Sequence, residues 1–288
     1  SICQNISTVN NVLESGDVKS AIKTCQKLGV VIKKIRPKSY KIYGKGLGSL
    51  FIKKNAELNF GNSGTLARLL LGILSTTPNI NIKIKGDHSL NKRSMEKLIN
   101  LLSKFGATFL PKNKYTFPLK MISSEMPVGI KYKAGVSAQL KSAVLLAGLN
   151  SYGNTIIEEQ IISRDHTENL LMKNIQSIKI IKKKKKIIKV KGKSYLNPLN
   201  FNIGGDPSSA AFFTALTLLN KNSTLKIKNV GLNPTRTGFY DILKKQKVKI
   251  NFKNIIKDNN EIRGDILIKS SKLKPMNVPA SLYPRTTD

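Results

Sequence analysis

Apolar residues recur along this chain in two kinds of helical pattern, separated by short alternating stretches. Three segments are apolar almost all round, and each opens on small or polar residues: "SGTLARLLLGIL" from Ser63, "SAQLKSAVLLAGL" from Ser137 and "SSAAFFTALTLL" from Ser208. The segments "AIKTCQKLGVVIKKI", "SMEKLINLLSKFGATFL", "ENLLMKNIQSIKII" and "YDILKKQKVKINF" differ. Their apolar positions fall on one side, as at Ile22, Cys25 and Leu28 or Leu98, Leu102 and Phe105, and each runs on into a strand-like alternation. Gly29 and Gly106 stand where helix C-terminal caps belong. The first kind predicts helices buried inside a domain, the second helices with one wet face.

The order helix, strand, amphipathic helix, strand, turn, strand recurs about three times with ragged ends, which predicts an α/β fold with mixed sheets. Buried helices stacked in parallel would aim their N-termini at one place. Those ends expose unpaired N–H groups and the positive end of the peptide dipole, so they favour anions. Gly61, Asn62, Ser63, Gly64 and Thr65 open one such helix; they read either as an ordinary cap and turn or as a phosphate or carboxylate cradle. Ser137 and Gln139 fall on the first turn of the second, as a cap with an incidental amide or as ligand donors. "GDHSLNKRSM" brings Lys92 and Arg93 to the start of an amphipathic helix, against the dipole unless an anion sits there. "ISRDHTENLL" sets Ser163, Arg164, Asp165, His166 and Thr167 before another helix; adjacent residues rarely make a catalytic dyad, so capping and local pairing is the expectation.

Composition narrows the classes. At 288 residues the chain is long enough for two domains, and its 2 cysteines, Cys3 and Cys25, and 2 histidines, His88 and His166, supply neither a disulfide framework nor a metal cluster. No apolar run suits a membrane span and Ser1–Ser20 does not read as a signal peptide, which places the protein in the cytoplasm. The formal charge of +34 fits a nucleic-acid-binding module. It fits better a drift toward the codons of Lys, Asn and Ile. Lys182–Lys186, between "SIKII" and "IIKVKG", reads as a solvated hairpin turn.

Taken together, "LNFGNSGTLARLLLGIL", "GDHSLNKRSM", "SAQLKSAVLLAGL", "SRDHTENLL", "GGDPSSAAFF" and "NPTRTGFYDIL", in this order, resemble the bacterial 3-phosphoshikimate 1-carboxyvinyltransferases, the EPSP synthases. The resemblance implies two domains built from βαβαββ units as inside-out α/β barrels. The first would cover residues 1–202 without its N-terminal segment, and an incomplete second 203–288. It implies transfer of the enolpyruvyl group of phosphoenolpyruvate to the 5-hydroxyl of shikimate 3-phosphate, with release of phosphate. No metal or organic cofactor would take part. The partners would be these small anions, with no membrane and no specific nucleic acid, and the full-length protein would be a monomer.

Residue by residue, the resemblance puts Gly64, Thr65, Arg93 and Gln139 against phosphoenolpyruvate, with Asn62 and Arg68 in support. Ser137, Ala138, Gln139, Ser163 and Arg164 would hold shikimate 3-phosphate, and Asp17 would order the hinge side of the first domain. Asp288, in "SLYPRTTD", aligns with the aspartate that takes the proton from the 5-hydroxyl. Ser94 replaces a proline common in relatives, and Gly64, where some carry alanine, implies sensitivity to glyphosate. The family's opening Lys–Ser segment and its later Glu, Arg and Lys residues fall outside the sequence. The 288 residues alone would therefore be nearly inactive, or a non-catalytic remnant.

Overall fold

The computed structural model describes residues 1–182, 185–275 and 278–286. It divides into two units, Ser1–Ile161 with Leu171–Phe201, and Ile162–Leu170 with Asn202–Asp288. The chain opens with β1 (Ile6–Asn10), α1 (Gly16–Lys27), β2 (Val31–Arg36) and β3 (Ser39–Tyr43). Two complete βαβαββ units follow. One is β4 (Glu57–Asn59), α2 (Gly64–Leu74), β5 (Asn81–Lys85), the single turn α3 (His88–Asn91), α4 (Glu96–Ser103), β6 (Thr108–Leu110) and β7 (Leu119–Ile122). The other is β8 (Lys131–Ala134), α5 (Ala138–Leu149), β9 (Asn154–Glu159), α6 (His166–Leu171), β10 (Ile178–Lys182) and β11 (Lys186–Lys191). Then come β12 (Asn200–Asn202), α7 (Pro207–Leu219), β13 (Thr224–Gly231), α8 (Gly238–Lys245), β14 (Ile250–Asp258), β15 (Glu261–Lys269) and a last turn, α9 (Tyr283–Thr286).

The sheets share one plan. Their orders are β4-β5-β7-β6 and β10-β11-β9-β8, in which β4 with β5 and β8 with β9 are parallel and the other pairs antiparallel. A parallel pair needs a crossover, and the apolar helices α2 and α5 provide it. β12-β1-β3-β2 and β13-β15-β14 repeat the arrangement, the latter with a parallel bridge from Gly205 to Val230 where a first strand would lie. The repeat expected from the sequence is thus present. None of the described helices is long and apolar enough to cross a membrane.

In the first unit α2 and α5 run side by side through the core, burying Leu70, Leu71, Leu74, Val144, Leu145 and Leu149. They touch at Gly72, where a Cβ would fall 2.5 Å from the Ala143 carbonyl oxygen, so the contact admits only glycine. This close approach brings the two helix starts together.

Some sequence expectations need correction. α7 is not buried all round: Phe212 and Leu219 are 77% and 75% exposed, because the helix lies on a single layer formed by β13 and β15. In the segment "ENLLMKNIQSIKII" only α6, ending at Leu171, is helical, and Ile175 beyond it is exposed. The lysine run does close a hairpin, with Lys182 opposite Lys186, and residues 183–184 lie outside the described residues. Lys186, however, is not solvated. It is buried, with Nζ 3.1 Å from Glu159 Oε2.

Candidate functional site

The two crossover helices begin in the same way. Ser63 Oγ accepts from the Leu66 amide at 3.2 Å, and Ser137 Oγ accepts from the Leu140 amide at 3.4 Å. Each serine is a helix cap, as the simpler reading of the sequence had it, and each keeps its hydroxyl proton to donate elsewhere. Gln139 Nε2 donates to Thr65 Oγ1 at 2.7 Å and ties the first turn of α5 to that of α2. A cleft of about 620 Å³ opens beside them, lined among others by Arg68, Glu96, Tyr132, Ser137, Gln139 and Leu140.

Two guanidinium groups stand at this junction. Arg68 reaches back one turn of α2 and donates to the Gly64 carbonyl at 3.1 Å. Arg93 donates to Asn62 Oδ1 at 3.2 Å and Ser89 Oγ at 3.4 Å. Among the described residues neither pairs with a carboxylate. Burial, and after it the positive charge of Arg93, pushes the Arg68 guanidinium below its ordinary pKa. Like charges held together beside two helix N-termini are costly without a counter-ion, so the electrostatics of the junction favour an anion.

Arg93 does not head an amphipathic helix, as the sequence suggested. Lys92 is the C-cap of α3, whose start is capped by Asp87 accepting from the Leu90 amide at 2.8 Å, and α4 begins only at Glu96. Both cations therefore follow the carbonyl end of a helical turn, where positive charge is favourable. Ser94 Oγ accepts from the Glu96 amide at 3.3 Å, two residues ahead of the start of α4.

Gly64 makes this crowding possible. A Cβ at this position would lie 2.7 Å from Arg68 Nη1 and 3.3 Å from Arg93 Nη1. Its backbone is ordinary for a helix start, so Gly64→Ala should fold with unchanged stability while displacing both guanidinium groups. The expected result is about tenfold or greater weakening of inorganic phosphate binding by calorimetry, alongside an unaltered melting temperature.

The remaining sequence candidates fall elsewhere. Asp17 is exposed in the first turn of α1, where a carboxylate suits the helix dipole. Ser163 is buried and Arg164 half-buried, and both belong to the Ile162–Leu170 segment of the second unit rather than to the junction's unit. Asp288 lies outside the described residues. Asp165 pairs locally with Asn169, whose Nδ2 donates to its carboxylate at 3.2 Å, but Asp165 and His166 also reach distant partners. Asp165 accepts from Asn233 Nδ2 at 2.9 Å, and His166 Nδ1 lies 2.9 Å from Glu261 Oε1, a contact in which the imidazole donates because a carboxylate can only accept. Burial of Glu261 disfavours its charge, yet this contact and the Asn169 and Asn233 amides hold its pKa below the usual range.

Sequence reasoning missed a buried charged group next to the junction. Lys141 Nζ donates to Glu159 Oε1 at 2.8 Å with both side chains fully buried, and Lys186 meets the other carboxylate oxygen. A lysine inside the apolar run of "SAQLKSAVLLAGL" was the available signal.

Comparison with known proteins agrees with this architecture. Residues 1–287 match the family model described as EPSP synthase (3-phosphoshikimate 1-carboxyvinyltransferase). The 3-phosphoshikimate 1-carboxyvinyltransferase of Leptospira interrogans is 38% identical over 287 residues, which are 98% of this chain and 64% of the relative. That of Petrotoga mobilis is 38% identical, with 100% of this chain and 66% of the relative covered. The solved EPSP synthase of Acinetobacter baumannii superposes with a TM-score of 0.86 at 33% identity, over 99% of this chain and 63% of that one. The chain thus spans a little under two thirds of these relatives' lengths. From the repeated βαβαββ plan, the paired helix starts with their two arginines and the match along residues 1–287, the chain belongs to the EPSP synthase family.

Proposed function

We propose that the protein to which this chain belongs transfers the enolpyruvyl group of phosphoenolpyruvate to the 5-hydroxyl of shikimate 3-phosphate in the cytoplasm. The hydroxyl oxygen forms a bond to C2 of the enolpyruvyl group, the bond from C2 to the phosphate oxygen breaks, and the hydroxyl proton is given up as phosphate leaves. Gly64, Thr65, Arg93 and Gln139 cradle phosphoenolpyruvate, with Asn62 and Arg68 behind them. Ser137, Ala138, Gln139, Ser163 and Arg164 hold shikimate 3-phosphate, and Asp288 takes the hydroxyl proton. The first domain covers residues 1–202 and the second begins at 203.

One observation carries the reading. Two helix N-termini are joined by the Gln139–Thr65 hydrogen bond beside two guanidinium groups that no described carboxylate neutralises. Both substrates are polyanions, and fixed donors of this sort act on charge without reorganising. Two free cysteines suit a reducing compartment.

The reading is tested by titrating shikimate 3-phosphate into the protein in a calorimeter and then following phosphate release after phosphoenolpyruvate is added. Saturable heat with the first ligand is expected. Absence of that heat, together with salt-sensitive binding of any DNA oligomer, would instead support the basic nucleic-acid-binding module.

A further inference from the structure

The chain leaves the first unit after Ile161 and returns to it at Leu171, and the intervening segment groups with the second unit. Its only regular element is α6, six residues long, far too short to hold its own shape. What the following residues grip therefore bears directly on the conformation of Ser163 and Arg164. That grip is long-range. Asp165 Oδ1 accepts from Asn233 Nδ2 at 2.9 Å and from Asn169 Nδ2 at 3.2 Å, while Glu261 Oε1 accepts from Asn169 Nδ2 at 3.0 Å and Glu261 Oε2 from Asn233 Nδ2 at 3.2 Å. Two carboxylates are bridged by two amides, with His166 on Glu261 and the Asn260 amide donating to the Asn169 carbonyl at 3.3 Å.

Asn233 is the part of this ring that has no freedom. It is 3% exposed, and its Oδ1 accepts from the Thr235 amide at 2.8 Å and the Thr235 hydroxyl at 2.7 Å. Those contacts fix which end of the amide is which, so the NH₂ group must face the carboxylates. It supplies donors between two groups that would otherwise repel each other, and so holds Asp165, one residue beyond Arg164, against the body of the second unit.

We propose that Asn233 is a positioning residue: by bridging Asp165 and Glu261 it fixes the backbone that presents Ser163 and Arg164, and so sets the affinity for shikimate 3-phosphate. The inference rests on the function proposed above for those two residues. Asn233→Asp is the sharpest test, because it keeps the acceptor to Thr235 and the side-chain shape but turns a donor into a third carboxylate. Two measurements on the protein to which this chain belongs decide it: calorimetric affinity for shikimate 3-phosphate, and hydrogen exchange at the amides of residues 163–170 against those of β14 and β15.

The expected result is a ten- to hundredfold weaker affinity, about what losing hydrogen bonds to charged groups costs, with faster exchange in 163–170 and unchanged exchange in the two strands. Equal affinity in variant and wild type overturns the positioning role alone, as does weakened affinity with exchange in 163–170 unchanged. Should Asn233→Asp fail to fold, Asn169→Ala removes the second bridge from the segment's own side and should shift both readouts in the same direction; no shift overturns the inference. A wild-type protein that gives no heat with shikimate 3-phosphate overturns the proposed function, and the positioning role with it.

Discussion

Glu159→Gln should destabilise the first unit by about 3–5 kcal/mol, the range found when one partner of a buried ion pair is removed. Glu159 stands between two buried lysines, with Lys141 Nζ on one oxygen at 2.8 Å and Lys186 Nζ near the other at 3.1 Å. Neutralising it removes the negative charge that each of these two buried ammonium groups contacts. Lys141→Met is the informative contrast, because Glu159 then keeps Lys186 and a charge-balanced pair remains. Its cost should be clearly smaller. Two units need not unfold as one transition, so the measurement is hydrogen exchange at the amides of β9 and β11. A Lys141→Met protein as unstable as Glu159→Gln would show that the group does not act as a carboxylate shared by two cations.

Arg93→Ala should have the largest effect on ligand binding and almost none on folding. The guanidinium is exposed, its hydrogen bonds go to Asn62 and Ser89, and its charge opposes that of Arg68. Removing it should leave stability within about 0.5 kcal/mol, since no buried partner is orphaned. Affinity for phosphoenolpyruvate should fall about ten- to a hundredfold, as charge-assisted donors to an anion are lost. In a protein that turns over, the rate should fall about 10²–10³-fold, as for other fixed donors to a developing charge. Calorimetry and thermal melting of the same preparation read both halves. A stability loss that matched the affinity loss would make Arg93 a structural residue.

The parts of the fold that could be read from sequence are those where one local rule decides. α2 and α5 follow from apolar runs opened by Ser63 and Ser137, whose oxygens do cap the helices. The hairpins follow from alternation broken by turns. What stayed hidden depends on neighbours distant in sequence. Lys186 sits in a run of lysines that looks solvated, and only the register of β11 against β9, which puts Lys186 opposite Glu159, buries it. Asp165 and His166 read as locally paired; Asp165 does take Asn169, but both also reach Asn233 or Glu261, far along the chain. α7 reads as fully buried because periodicity reports how apolar a helix is and not how many layers cover it; here Phe212 and Leu219 are open. Arg93 reads as a helix start, because one short turn, α3, was invisible as a separate element.

The meeting of Gly64, Thr65 and Gln139 is the claim that most of this reading rests on. It is tested most directly by following the backbone amide resonances of the isotopically labelled protein as phosphoenolpyruvate is added at physiological salt. With so basic a chain, weak screening by an anion at many lysines is the competing behaviour. The junction predicts saturable shifts concentrated at Gly64, Thr65 and Gln139, abolished in Arg93→Ala. Shifts spread over the lysine-rich strands, unsaturated and unchanged in Arg93→Ala, would contradict it.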